Sequence, residues 1–189
     1  MKVVIFMADG MEMCECLITV DLLRRAGIEV VTASIEGRRE VVPSHKVPVV
    51  ADVLVEDVDF DSAEMIILPG GRIGTEHLAA SEIVCAKCKE FAASTGAAKR
   101  KYVAAICAAP SVLSGLGLMD GRKTTCHPDF AEKVAAGNAV LTGESVAVDN
   151  NIITGQGLGA TFEFAFQIIR TLMDEEPVDR IKRAICYRG

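Results

Sequence analysis

No run of apolar residues in this chain is long enough to cross a bilayer. No signal-type leader is expected either: Lys2 is followed by a short apolar run to Ala8, and Asp9 ends it before an export h-region could form. Basic clusters are scarce. With a formal net charge of −6, the chain lacks the Lys- and Arg-rich surface that nucleic acid or an anionic membrane requires. The short basic run Lys99-Arg100-Lys101 has no interleaved aromatic residues and reads as a solvated loop. No internal repeat, linker or low-complexity stretch divides the sequence. These absences lead us to expect a cytoplasmic protein with no nucleic-acid or membrane partner. Its seven cysteines are then expected as thiols in a reducing compartment.

What is present is ordinary for one globular domain: of 189 residues, 50% are hydrophobic and 24% charged. Short apolar runs alternate with helical patterns. Val3 to Met7, Ile28 to Ala33, Val47 to Val55, Met65 to Leu68 and Tyr102 to Ile106 read as strands. Helices are expected over Met11 to Ala26, closed by Gly27, and over Glu82 to Ala93, Ala108 to Leu116 and Phe130 to Ala136. Two more are expected over Ala160 to Met173, anchored by Phe162, Phe166, Ile169 and Met173, and over Pro177 to Cys186. Val146 to Val148 and Ile152 to Thr154 suggest a hairpin. Strands separated by helices imply βαβ crossovers, hence an α/β domain with a mostly parallel sheet. In such sheets ligands bind beyond the carboxyl ends of the strands. That rule selects Ala8 to Glu15, Pro69 to Gly74 and Cys107 to Ser111.

Cys107 is the most informative position. It stands where a buried strand stops and a helix begins, in Ala105-Ile106-Cys107-Ala108-Ala109-Pro110. Small residues on both sides suit a sharp strand–turn–helix elbow, where bulky neighbours would collide. A thiol there faces a helix N-terminus, whose partial positive charge favours the thiolate. A cysteine in an apolar run is also commonly just a small hydrophobe, and spacing alone leaves both readings open. Glu15, early in the helix after the first strand, can approach the same end of the sheet and exchange a proton with the thiol. His127, in Thr124-Thr125-Cys126-His127-Pro128, is a candidate base or substrate contact. Gly70 and Gly71 follow a strand directly and offer backbone N–H groups to an oxyanion or carboxylate, although a tight turn would need glycine there too.

Other patterns are weaker. Gly155-x-Gly157-x-Gly159 lacks the spacing of a dinucleotide fingerprint and comes late in the chain. Cys85-x-x-Cys88 lies inside a helical pattern with no second pair to complete a zinc site, so no metal is expected. Cys14 and Cys16, two apart on a helix, point in different directions.

Five segments, in order, carry a resemblance that covers essentially the whole chain. They are Val20-Asp21-Leu22-Leu23-Arg24-Arg25-Ala26-Gly27-Ile28, Leu68-Pro69-Gly70-Gly71, Ala104-Ala105-Ile106-Cys107-Ala108-Ala109-Pro110, Thr124-Thr125-Cys126-His127-Pro128 and Thr161-Phe162-Glu163-Phe164-Ala165. Together they resemble the ThiJ/PfpI superfamily, most closely its DJ-one branch. The resemblance implies a flavodoxin-like three-layer sandwich in a single domain, 1–189, including a C-terminal helix at about 177–186. It implies no cofactor, and a homodimer with the pocket close to the interface. Position by position, Cys107 resembles the reactive cysteine and Glu15 the acid that lowers its pKa. Gly71 and Ala108 match the backbone donors, and His127 matches the pocket histidine. His45 and Gln156 stand where close relatives carry Arg, and Ala109 where they often have Gly. Intracellular proteases of the superfamily place His directly after the nucleophile, where this chain has Ala108, and the His-x-Glu of a glutamine-amidotransferase triad is absent.

The activity implied is a cysteine-dependent, cofactor-independent glyoxalase or deglycase acting on methylglyoxal or its glycated adducts. The alternative is an oxidation-sensing, stress-protective chaperone in which Cys107 becomes sulfinic acid. One activated thiolate serves both, and only turnover separates them.

Overall fold

The computed structural model describes residues 1–96 and 100–188, so Lys99 of the basic run lies outside the described residues. The first half of the chain forms β1 (Lys2–Met7), α1 (Met13–Arg25), β2 (Glu29–Ser34), β3 (Glu40–Val41), β4 (Val49–Val50), β5 (Val53–Leu54), β6 (Met65–Leu68), α2 (Arg72–Ala80) and α3 (Glu82–Ala93). The second half forms β7 (Tyr102–Ile106), α4 (Pro110–Gly115), β8 (Lys123–Thr124), α5 (Ala131–Ala135), β9 (Val140–Leu141), β10 (Val146–Asp149), β11 (Ile152–Gly155), α6 (Thr161–Leu172) and α7 (Glu175–Ala184).

Seven strands make the central sheet, in the order β10-β11-β7-β6-β1-β2-β5. All neighbours are parallel except the β10–β11 hairpin. Successive side chains of a strand point to opposite faces, so a continuous apolar run is stable only when both faces are covered. In β1, Val3, Ile5 and Met7 pack with Leu22 and Leu23 of α1, Phe166 of α6 and Ile181 of α7. Val4 and Phe6 face the other way, with Leu78 of α2, Phe91 of α3 and Leu113 of α4. The result is the expected three-layer α/β sandwich. No helix among the described residues is long and apolar enough to cross a membrane.

The structure departs from the sequence reading at particular places. Val47 to Val55 is not one strand: β4 pairs with β3 in a separate ribbon, while β5 pairs with β2 at the sheet edge. Asp52 turns the chain between them, because its carboxylate accepts from the N–H and hydroxyl of Thr32 (both 2.9 Å) and pairs with Arg24 (2.8 Å). The helix expected from Met11 starts at Met13, with the Glu12 side chain capping the N–H of Cys14. The last helix runs over Glu175–Ala184 rather than 177–186. Met173 lies just beyond α6 and is exposed, and Phe164 and Ile168 fill the core in its place. Helix α2 was unexpected. Its Gly74 weakens helical propensity, yet a Cβ there would come within 2.6 Å of the Met11 backbone, so tertiary packing overrides propensity.

At the end of the sheet remote from the carboxyl ends, fully buried Asn151 fastens β11 to its neighbours. Its Nδ2 donates to the carbonyls of Phe91 (2.9 Å), Ala92 (3.2 Å) and Lys101 (3.0 Å). Asn151→Ala leaves these acceptors unsatisfied and is expected to destabilise the fold by about 2 kcal/mol in urea denaturation, without changing the alkylation rate of Cys107.

Candidate active site

β1 has β2 on one side and β6 on the other, so the chain reverses direction across the sheet there and opens a crevice at the carboxyl ends. The loops after β1, β6, β7 and β11 meet in it. Cys107 follows β7 directly and holds a left-handed backbone with φ +66°, which a residue with a Cβ rarely adopts. Flanking bonds impose it: the Cys107 N–H donates to Gly155 O, and its carbonyl accepts from His127 N–H, both at 2.9 Å. Strain of this kind persists only where the surroundings over-determine it, and it clusters at reactive sites. Ala108 and Ala109 are buried, as the elbow requires, and Pro110 opens α4.

Glu15 lies in the first turn of α1 and is 1% exposed, so it is not a solvated helix residue. Its Oε2 accepts from the Gly70 N–H at 2.9 Å. Oε1 is buried without a hydrogen-bond partner of its own, and the carboxyl is coupled to the thiol of Cys107. Position 70 must be glycine for this. A Cβ there would come within 2.5 Å of Glu15 Oε2 and 2.6 Å of Cys107 Cβ.

Burial pushes the Glu15 carboxyl up to about 7, against the pull of its bonds to Cys107 and Gly70. Burial, then the charge of ionised Glu15 and its hydrogen bond, push the Cys107 thiol up to about 12, while the N–H groups of Gly71 and Ala108 pull it down. The resemblance implies that Glu15 lowers the thiol, whereas in this structure its charge and hydrogen bond raise it. An ionised Glu15 opposes the thiolate; a protonated Glu15 donates to it. The two groups therefore titrate as one coupled pair whose first proton leaves at about 7, and burial opposes a second negative charge beside the first.

His127 lines the same opening, its side chain 44% exposed. Its Nδ1 accepts from the Asp129 N–H at 3.2 Å, which leaves Nε2 to carry the proton in the neutral ring. Gly71, with φ +92°, begins α2 and turns its N–H to the sulfur. The opening is a cleft of about 640 Å³. Gln156, which stands where close relatives carry Arg, also lines it; sequence reasoning singled out neither Ser145 nor Leu158, and reached Glu12 only as part of the segment Ala8 to Glu15. The glycine pattern set aside as weak was the available signal: a Cβ on Gly157 would stand 4.0 Å from Cys107 Sγ and 3.6 Å from the His127 ring. Cys16 and Cys88 are fully buried, and all seven cysteines are free. Among the described residues no group of three or more His, Cys, Asp or Glu is placed to hold a metal ion.

A strained cysteine at the carboxyl edge of a parallel sheet, coupled to a buried acid, defines a cysteine-centred α/β protein class. Residues 1–171 match the profile of the DJ-1/PfpI family, and the chain belongs to that family. It is 34% identical to the Parkinson disease protein 7 homolog of Danio rerio, over 99% of this chain and 97% of that one. Identity is 30% to the glutathione-independent glyoxalase DJR-1.2 of Caenorhabditis elegans, over 94% of this chain and 91% of the relative. Against the DJ-1 homolog B of Arabidopsis thaliana it is 35% identical over 99% of its length, but spans 42% of that longer protein. The solved structure of oxidized Toxoplasma gondii DJ-1 superposes with a TM-score of 0.91 at 34% identity, covering 100% of this chain and 99% of that one.

The Glu15 carboxyl binds its proton more tightly in the folded state than its ordinary value of 4.5 allows unfolded. Its contribution to stability is thus fully present below 4.5 and lost as pH rises through about 7, a loss of ~3 kcal/mol. Glu15→Gln cannot ionise. It is expected to remove that slope and to melt above the wild type in mildly alkaline buffer; an unchanged slope would show that the carboxyl is not raised.

Proposed function

We propose that this protein is a cofactor-independent glyoxalase that converts methylglyoxal, or adducts derived from it, through a covalent bond to Cys107. The observation that carries this reading is the half-buried thiol of Cys107, opening on the cleft beside a carboxyl raised to about 7. The C. elegans relative named as a glutathione-independent glyoxalase supports it. Cys107 Sγ attacks the aldehyde carbon, a C–S bond forms, and the carbonyl electrons move to oxygen. The N–H groups of Gly71 and Ala108 face that charge until protonation completes a hemithioacetal. Glu15 or His127 removes the hydrogen from the former aldehyde carbon as a proton, giving an enediol, and reprotonation at the neighbouring carbon gives a lactoyl thioester. Water then cleaves the C–S bond, releases lactate and restores the thiol. The net change adds one water and needs no oxidant or reductant. Ala108, in place of a histidine after the nucleophile, weighs against protease chemistry.

The deciding experiment is lactate production from methylglyoxal without glutathione. The pair loses its first proton at about 7, so the rate is expected to climb tenfold per pH unit below that point and to level above it. Cys107→Ala should abolish turnover. Glu15→Gln should shift the limb to alkaline pH and cost about tenfold or more near neutrality. Lactate formed no faster than in Cys107→Ala would sink the enzyme reading.

A second reading is favoured by the same donors. A sulfinate on Cys107 would find the N–H groups of Gly71 and Ala108 and a protonated Glu15 around it, which suits an oxidation sensor with a chaperone role. Each of two equivalents of peroxide would transfer one oxygen to sulfur and leave as water. Peptide mass spectrometry after mild peroxide should find Cys107 modified first; earlier oxidation of other cysteines would end the idea. The homodimer and the cytoplasmic location belong to the same proposal. Exposed Leu17 on α1 and Val50 on β4 support the dimer, which sedimentation velocity would test, and cell fractionation would test the location.

A further inference from the structure

Among its described lining residues, the cleft beside Cys107 holds no lysine or arginine; its acidic lining is Glu12 and Glu15. Glu15 is occupied with the thiol. Glu12 is not, yet it is tethered. Its backbone N–H donates to Gly70 O at 2.9 Å, and its Oε1 accepts from the Cys14 N–H at 3.2 Å. Its Oε2 lies 3.5 Å from the Ser44 hydroxyl and 3.8 Å from His45 Nε2. The side chain is 15% exposed, so water screens it only in part, whereas His45 is 73% exposed. Arg72 follows Gly71 in sequence, but it is drawn to Asp129 (3.8 Å) and lies over the Phe130 ring. Within one protomer, the positive character of the lining is therefore that of the Gly71 and Ala108 N–H groups, which serve the sulfur.

We propose that Glu12 is a specificity-determining residue: it admits uncharged 2-oxoaldehydes to Cys107 and disfavours those that carry a carboxylate. For the substrate class this rests on the glyoxalase reading, but the charge selection is a property of the cleft and is measurable without turnover. Glu12 and Cys107 line one cleft, and repulsion between like charges there, in a medium between water and protein interior, changes a rate by about tenfold. A fixed carboxylate that repels the wrong ligand gives selectivity without any new attractive contact. In turnover, 4,5-dioxopentanoate should react more slowly than its methyl ester, since the two differ in the charge remote from the reacting carbons.

The test uses two alkylating agents of nearly the same shape, neutral iodoacetamide and anionic iodoacetate. Rates at Cys107 are read by peptide mass spectrometry and normalised to those of 2-mercaptoethanol, at one mildly alkaline pH. In the wild type the iodoacetate-to-iodoacetamide ratio should fall about tenfold below that of the free thiol, and high ionic strength should narrow the gap. Glu12→Gln should recover at least about fivefold of the ratio, while Glu12→Asp, which keeps charge and cap, should stay near the wild type. The ratio cancels any change in thiol reactivity common to both reagents. A wild-type ratio equal to that of 2-mercaptoethanol, no recovery in Glu12→Gln, or an equal shift in Glu12→Asp would each overturn the proposal. Selection without lactate formation would remove the glyoxalase reading and leave the role of Glu12 standing; lactate formation without selection would do the reverse.

Discussion

The Glu15 carboxyl meets the Cys107 thiol over the bare α-carbon of Gly70, and the chemistry of the site descends from that approach. With any side chain at position 70 the acid and the sulfur would be forced apart, and the N–H that holds Glu15 Oε2 would shift with them. The approach is electrostatically unfavourable. Two acids that both ionise more readily in water are buried together, and burial opposes charge on each. Sharing one proton resolves the conflict, because a single negative charge then spreads over the pair while the Gly70, Gly71 and Ala108 N–H groups face it.

A pair of this kind needs a rigid frame, since it opposes folding near neutral pH. The frame is the sheet. Strands β11, β7, β6 and β1 are consecutive neighbours, and each delivers one part of the site at its carboxyl end: Gly157, Cys107, Gly70 with Gly71, and Glu15. Registers fixed by parallel pairing leave these loops little freedom, and both faces of the strands are packed. The left-handed backbone of Cys107 is held by bonds to two separate segments, the end of β11 at Gly155 and the loop at His127, so neither alone can relax it. Four strand ends thus constrain one sulfur atom.

The strands and the elbow were legible in the sequence because their signals are local. A five-residue apolar run bounded by turn residues says strand, and small residues around Cys107 say tight turn. Glu15 was legible as a candidate by its distance from the first strand, but its burial was not, since a lone glutamate in a first helical turn is ordinarily solvated. Helix α2 was illegible for the opposite reason. Gly74 weakens its propensity in isolation, and only the approach of Met11 from 63 residues away in sequence shows why glycine belongs there. Glu12 was not singled out because a cap and a cleft wall leave the same trace in sequence, an acid before a helix. The break at Asp52 likewise depends on Thr32, a partner that no local window contains.

Turnover and oxidation sensing make opposite demands on the shared proton. In turnover it must leave the pair and return in every cycle, so the carboxyl has to hold it loosely near neutrality, as a value of about 7 allows. A sulfinate on Cys107 would place a permanent negative charge beside Glu15, raise that carboxyl further and keep the proton there. Oxidation would then end turnover by electrostatics, before any change of shape. Glu12 does not choose between these fates, because peroxide and methylglyoxal are both uncharged and meet no repulsion from it. The choice falls to the relative supply of the two small electrophiles, and the fold equips one thiolate to answer either.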